Sequence, residues 1–441
     1  MLEKIKLAID EIDKLSKTKP IKIVSHFDTD GITSAAILSR AFHRWDKKFS
    51  LEIVKNLEES FIENLSENNI LIFSDLASGS LPALAKKNTE VFILDHHEIP
   101  EDQEIPSNVR MINPQTEENS EIISGAGVCY LFAKALSLEN KDLATLAVVG
   151  IVGDLLEKNA GKYFREILED SETTIKKGLL LYPSTRPINK ALEYCSNPYL
   201  PGITGSFKGA FELLRDAGIT KNGNKFKALY ELTEEEMSNL VTALMVRSAD
   251  KSKIEEMIGN LYLVKFFNKL EDARELSALI NACSRMGYSS TALGFCLGNK
   301  KCKKQAENIY IEYKQKLVSA LKYVSENNHI KGKNYTIINA KDNIKDTIIG
   351  TIASIISFSP SYSEGTMIVA LAYNKDKIKV SARLAGREGR NVRETLSKVV
   401  VPLGGEVGGH PKAAGCLIKK DHEEKFIEEL QKVLEIDTIK V

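Results

Sequence analysis

Between Ile21 and Asp154 short β-branched runs alternate with stretches in which apolar residues recur every three or four positions. The runs IKIVS, SLEIVK, NILIFSD, VFILD and VRMIN read as strands, with the helices ITSAAILSRAFHRW and SLPALAKK between some of them. That alternation predicts a doubly wound, mostly parallel sheet. After Asn113 the period turns helical through GAGVCYLFAKAL and DLATLAVVGIVGDLL.

From about Lys190 to His329 the spacing is helical and charges fill the gaps. There ELTEEEMSNLVTALM opens with a capping box, Thr233 preceding Glu236 by three. At NYTIINA the strand pattern returns, followed by a helix through IKDTIIGTIASIISF and by TMIVALAY and KIKVSARL, a hairpin turning at Asn374 to Asp376. The expected fold class is therefore α/β: a parallel-sheet domain over residues 1–189, a helical connector over 190–330 and a smaller C-terminal α/β domain over 331–441.

With 441 residues, 43% of them hydrophobic, the chain can bury cores for two or three domains. Sixty basic residues balance sixty acidic ones, so no global positive field draws it to nucleic acid or to an anionic membrane. Any polyanion must be held by local patches. The start, MLEKIKLAIDEIDKL, alternates charge with apolar residues at helical spacing rather than resembling a secretory signal, and the LATLAVVGIVG run is too short to span a bilayer. A cytoplasmic protein with no membrane contact is expected. Its six cysteines form no CxxC pair and read as buried thiols, with a pairing or metal role for Cys296 and Cys302 set aside. The runs ELTEEEM, NKKCKKQ and DHEEK read as solvated surface.

Candidate chemistry gathers at strand ends. IVSHFDTDG ends in His26, Asp28 and Asp30, LIFSD in Asp75, and FILDHH in Asp95, His96 and His97, while Asp154 follows the helical AVVGIVGD. In open parallel sheets the carboxyl ends of strands form the ligand crevice. Carboxylates converging there would raise one another's pKa values and destabilise the fold unless cations neutralised them. Mixed oxygen and imidazole donors suit Mn²⁺, with Mg²⁺, Co²⁺ or Zn²⁺ as alternatives. Two ions roughly 3.5–4 Å apart that share one aspartate would activate water for in-line attack on phosphorus.

With these pieces in order the sequence resembles the DHH phosphoesterase superfamily, whose four motifs match SHFDTDG, SDLASG, LDHH and GIVGD. The C-terminal GGEVGGHPKAAGC resembles the glycine-rich signature of the DHHA1 domain, which that family uses to hold substrate. INACSRMG resembles the asparagine and arginine stretch of RecJ-type exonucleases, with Ser284 in place of glycine, and points to the archaeal RecJ-like branch that includes the GINS-associated nuclease.

The resemblance implies that Asp28 and Asp75 help hold one ion, and that Asp30, Asp75, His96 and Asp154 hold the other, with Asp75 as the bridge. His26 is a further ligand candidate, although it stands two residues before Asp28 where some relatives place the histidine four before. Asp95 would orient a neighbouring imidazole, and His97 would contact phosphate or act as an acid. Gly408, Gly409 and His410 are expected to approach phosphate, the alternative being a ligand-free hairpin loop. Arg383, Arg387, Arg390 and Arg393 with Lys377 and Lys379 make the last domain locally basic. Asn281 and Arg285, four apart, read either as contacts to a terminal phosphate or base, or as a structural cap and a surface arginine. The function expected is a two-metal exonuclease on single-stranded DNA or RNA with replication or repair roles. Alternatives are a nanoRNase or nucleotide phosphatase, and a GINS-binding scaffold with little activity; a homo-oligomer is a further expectation.

Overall fold

The computed structural model describes all residues but 101–102, 119–120, 160, 182, 196–199, 201, 248–253, 256, 360–361, 387 and 437–441. Two compact units emerge, Met1–Ala191 with Phe211–Tyr310, and Leu192–Ala210 with Ile311–Val441.

The first unit opens with helix α1 (Leu2–Leu15), then β1 (Ile21–His26), α2 (Thr29–Arg44), β2 (Phe49–Val54), β3 (Ile70–Ser74), β4 (Val91–Leu94) and β5 (Val109–Ile112). All five strands read from the sequence are present and run parallel, in the order β2-β1-β3-β4-β5. Every residue of β3 and β4 is buried, as expected of a parallel sheet covered on both faces. Helices α3 (Gly125–Leu136) and α4 (Ala144–Gly153) pack on α2, whose Ile32, Ala35, Leu38 and Phe42 are fully enclosed. Burying each of the larger of these side chains contributes about 1.5–3 kcal/mol, so this layer fixes α2 on the sheet. The strand order places the topological switch point between β1 and β3, where ligands gather in doubly wound sheets.

The same unit continues through α5 (Lys162–Asp170), β6 (Thr174–Leu179), α6 (Glu234–Arg247), β7 (Ile258–Phe266), β8 (Lys269–Asp272), α7 (Ala273–Arg285), α8 (Ser289–Cys296) and into α9 (Lys300–Glu326). The middle region has its helices, and Thr233 and Glu236 exchange the two hydrogen bonds of a capping box. It also carries an antiparallel sheet, β6-β7-β8, that the pattern did not foretell. The β7–β8 turn sits on Phe267 and Asn268 at φ of 48° and 58°, so it lacks the glycine that signals such a hairpin.

The second unit contains β9 (Ile330–Gly332), β10 (Tyr335–Asn339), α10 (Asp346–Ser357), β11 (Met367–Asn374), β12 (Lys377–Leu384), α11 (Val392–Val400), β13 (Val407–His410), β14 (Ala413–Lys419) and α12 (Glu423–Ile436). Its sheet runs β13-β14-β12-β11-β10-β9. The expected β11–β12 hairpin closes with Asn374 opposite Lys377. Ile378, Val380 and Ala382 face Leu396, Phe426 and Leu430 of α11 and α12, and these form the core of the unit. All six cysteines are free, Cys296 and Cys302 included. Among the described residues no helix is long and apolar enough to cross a membrane.

Candidate metal centre

Register delivers the acids. Ser25 of β1 pairs with Ser74 of β3, and Ser74 with Leu94 of β4, so His26, Asp75 and Asp95 emerge side by side at the carboxyl ends. Below them Ser25 Oγ donates to the Gly31 carbonyl at 2.7 Å and receives Ser74 Oγ at 2.7 Å, tying the two ligand-bearing strands together. Asp75 adopts φ 57°, a left-handed conformation that aspartate tolerates better than most residues, while its N–H remains bonded to Leu94 O at 2.9 Å.

The Asp75 carboxylate is 1% exposed and faces two ways. Oδ2 lies 3.5 Å from His26 Nδ1, which is 3.0 Å from Asp28 Oδ2. Oδ1 lies 3.3 Å from His96 Nε2, which is 3.2 Å from Asp154 Oδ2 and 3.7 Å from Asp30 Oδ2. Two donor groups result, His26–Asp28–Asp75 and Asp30–His96–Asp154; Asp75, Asp95, His96 and His97 form a third, overlapping group. The six residues read from the sequence as metal-ligating, His26, Asp28, Asp30, Asp75, His96 and Asp154, are thus brought together.

Both Asp75 oxygens, His26 Nδ1 and His96 Nε2 are buried and make no hydrogen bond to the described residues. Apart from the ion-pair contacts with neighbouring donors given above, nothing among the described residues offsets their burial, and a buried group left unsatisfied costs roughly 1–3 kcal/mol, more if charged. Burial and the neighbouring charges of Asp30 and Asp28 push the Asp75 carboxyl well up, and burial with the Asp154 charge pushes Asp30 up to about 6. For His26 and His96 burial pulls the other way and is outweighed. Asp28 and Asp75 raise His26 to about 11, and Asp154 and Asp75 raise His96 to about 12. Protons are thus held where a divalent cation would satisfy every donor, and the set of oxygens and imidazoles fits such an ion.

Supporting contacts fix the donors. Asp28 Oδ1 caps α2 through the Gly31 N–H at 3.0 Å, which leaves Oδ2 for His26. Asp30 accepts the N–H groups of Gly125 at 2.6 Å and Ala126 at 3.0 Å at the start of α3. Gly125 and Gly150 allow this approach, because a Cβ on Gly150 would lie 2.6 Å from Asp30 Oδ1 and 2.5 Å from Ala126 Cβ. Gly31 is needed for the same steric reason, its Cβ position being filled by the His26 carbonyl. Asp95 accepts from the N–H of His96 and Ser78 and from His97 Nδ1, so the imidazole it orients is His97, two residues on. Asn113 in turn donates to Ser78 Oγ and to the His97 carbonyl. Ser78 and Gly150 lie within the SDLASG and GIVGD motifs without being singled out there, and Asn113 and Gly125 carry no sequence signal beyond a small or polar residue next to a predicted element.

The remaining candidates are not members of these donor groups. Asn281 is on α7, where its Oδ1 accepts the Thr29 N–H at 3.0 Å; Arg285 ends the same helix, half-buried. In the second unit Gly408, Gly409 and His410 are exposed and belong to a paired edge strand rather than to a loop. Gly408 lies beside Gly415 and Ser381, and His410 beside Ala413 and Arg383, on the sheet face opposite the core. Gly409 sits at φ 120° and could not carry a Cβ without striking the Ala413 carbonyl. The basic ridge read from the sequence is split. Arg383 bonds Ser354 Oγ of α10 on one face, whereas Arg390 reaches the Leu434 carbonyl of α12 on the other. Arg387 lies outside the described residues.

Residues 20–151 match the DHH family, N-terminal domain, residues 181–262 the DHH-CID domain, and residues 332–436 the DHHA1 domain. The chain is 31% identical over 456 residues to an uncharacterized protein of Methanocaldococcus jannaschii, covering 98% of this chain and 99% of that protein. The chain belongs to the DHH family of phosphoesterases. This DHH protein also folds like RecJ of Thermus thermophilus, crystallised with Mn²⁺, with a TM-score of 0.61 and 16% identity. The match covers 97% of this chain and 54% of that one, so the chain spans about half the RecJ length. CDC45 of Entamoeba histolytica shares the fold with a TM-score of 0.64 and 14% identity, over 98% of this chain and 99% of that one.

Proposed function

We propose that this DHH protein is a divalent-metal-dependent phosphodiesterase that removes mononucleotides from an end of single-stranded DNA or RNA. The observation that carries the reading is the Asp75 carboxylate, buried, without a hydrogen bond to the described residues, and turned with one oxygen toward each of two donor groups. His26, Asp28 and Asp75 would hold one ion, and Asp30, Asp75, His96 and Asp154 the other; Mn²⁺ is the ion favoured, with Mg²⁺ or Co²⁺ able to replace it. Bound there, such ions lower the pKa of water and neutralise charge developing on a phosphoryl group.

The chain's own residues do the rest. His97 is half-exposed and Asp95 holds its Nδ1, so Nε2 is presented outward to contact a phosphate oxygen or deliver a proton to the leaving oxygen. Burial would lower the His97 pKa, but the Asp95 carboxylate outweighs it and raises it, which keeps that proton available. In the DHHA1 domain the glycine row at 408 and 415 leaves sheet backbone open to a ligand beside His410 and Arg383.

The test is digestion of a labelled 20-mer and a dinucleotide side by side with Mn²⁺. Preference for the 20-mer is expected; a preference for the dinucleotide by orders of magnitude would move the protein to the nanoRNase class. The CDC45-like fold supports a second, compatible role at the replication machinery, for which GINS is the partner proposed. Pull-down with GINS using Asp75→Ala protein separates the two, since retained binding with lost cleavage marks independent functions.

A further inference from the structure

Thr29 is the single residue between Asp28 and Asp30, and each of its polar groups is taken. Its N–H donates to Asn281 Oδ1 at 3.0 Å, and its hydroxyl donates to the Ser277 carbonyl at 2.9 Å and receives Ser277 Oγ at 3.2 Å. Its own carbonyl accepts the Thr33 hydroxyl at 2.8 Å. The N–H is the telling contact. Thr29 begins α2, and the first N–H groups of a helix have no partner within it. Asp28 satisfies Gly31, and Asn281, 252 positions from Thr29, satisfies Thr29 itself.

The same helix α7 also bears on Asp154. Gly153, the residue before it, packs so tightly that a Cβ there would come within 2.9 Å of Thr29 Cβ and 3.1 Å of Ser277 Oγ. Asp28, Asp30 and Asp154 are thus all referred to one helix. That helix is itself anchored, since wholly buried Asp272 caps it through the Arg274 N–H at 2.8 Å and accepts the N–H and hydroxyl of Ser184.

We propose that Asn281 is a positioning residue of the metal centre, setting the disposition of Asp28 and Asp30 through the Thr29 backbone. The inference rests on the metal-centre reading above. It assigns the asparagine of INACSRMG to the ligand scaffold rather than to a nucleic acid, and it makes the segment after the DHH-CID match part of the catalytic unit.

The test is Mn²⁺ binding to chelator-stripped full-length protein, read from the electron paramagnetic resonance signal of free Mn²⁺, for wild type, Asn281→Ala, Asn281→Asp and Thr29→Val. Asn281→Ala should bind about 10–100-fold more weakly, the usual effect of removing a group that orients a ligand, with the KM for oligonucleotide at saturating Mn²⁺ unchanged. Asn281→Asp keeps the acceptor and should bind at least as tightly as wild type. Thr29→Val removes the bonds to Ser277 without removing the N–H and should bind more weakly, which keeps the test decisive if Asn281→Ala fails to fold. Wild-type Mn²⁺ affinity in Asn281→Ala, or a raised KM as its sole defect, overturns this inference alone. Absence of Mn²⁺ uptake by the wild type overturns the metal centre as well.

Discussion

The Nδ1 nitrogen of His97 lies 2.7 Å from Oδ1 of Asp95, a carboxylate that is wholly buried and also accepts backbone N–H groups from Ser78 and His96. One acid therefore shapes the third motif and sets the state of an exposed imidazole beside the metal donors. Asp95→Asn should lower turnover about 10–100-fold while the protein stays folded. Without the carboxylate the raised His97 pKa falls back, so the alkaline limb of the pH–rate profile, where His97 loses its proton, moves to lower pH. An unshifted limb would remove His97 from the chemistry.

Gly150 offers a steric test of the site's packing. In Gly150→Ala the added methyl would lie 2.6 Å from both Asp30 Oδ1 and Thr33 Oγ1 and 2.5 Å from Ala126 Cβ. Overpacking of this kind costs about 1–3 kcal/mol. Denaturant unfolding should show that loss, and Mn²⁺ affinity should fall with it because Asp30 is displaced.

The pH dependence of metal uptake has a definite sign. In the metal-free protein His26 and His96 keep their protons up to about 11 and about 12, and Asp30 titrates near 6. Mn²⁺ must displace those protons, so affinity rises with pH and binding at neutral pH releases protons, measurable by calorimetry in buffers of different ionisation enthalpy. The protonated imidazoles stabilise the metal-free fold fully below their ordinary value of 6.5 and lose that contribution as pH rises toward 11. The rise in Tm on adding Mn²⁺ should therefore be larger at pH 9 than at pH 6.

His410 is exposed on the edge strand of the second unit and is not a member of the donor groups found among the described residues. His410→Ala should raise KM for an oligonucleotide while leaving bound Mn²⁺ unchanged. Loss of metal in this variant would show that the DHHA1 residue does more than hold substrate.

The parts of the fold that could be read in advance are those with local signals. Strands β3 and β4 are almost wholly apolar runs and β1 is a mainly β-branched one broken by Lys22, and each leads into acid or imidazole, so both the strand and the end of the sheet at which its acid emerges follow from one stretch of chain. Asp75 as a bridge depends on strand order, which the alternation of elements suggests without fixing. The Thr29–Asn281 bond has no local trace, because its partners are 252 positions apart and an asparagine on a helix reads equally as cap or surface. The steric roles of Gly125, Gly150 and Gly153 are invisible for a similar reason: they are set by what packs against them. The β6-β7-β8 sheet escaped because its turn uses Phe267 and Asn268 where glycine would have announced it.

Asp75 is where both donor groups meet, and calorimetric titration of chelator-stripped protein with Mn²⁺ interrogates it directly. Wild type should take up two ions per chain, and Asp75→Ala should lose that uptake and cut cleavage by several orders of magnitude while remaining folded by circular dichroism. Wild type that binds no Mn²⁺, or Asp75→Ala that binds and cleaves like wild type, would contradict the account.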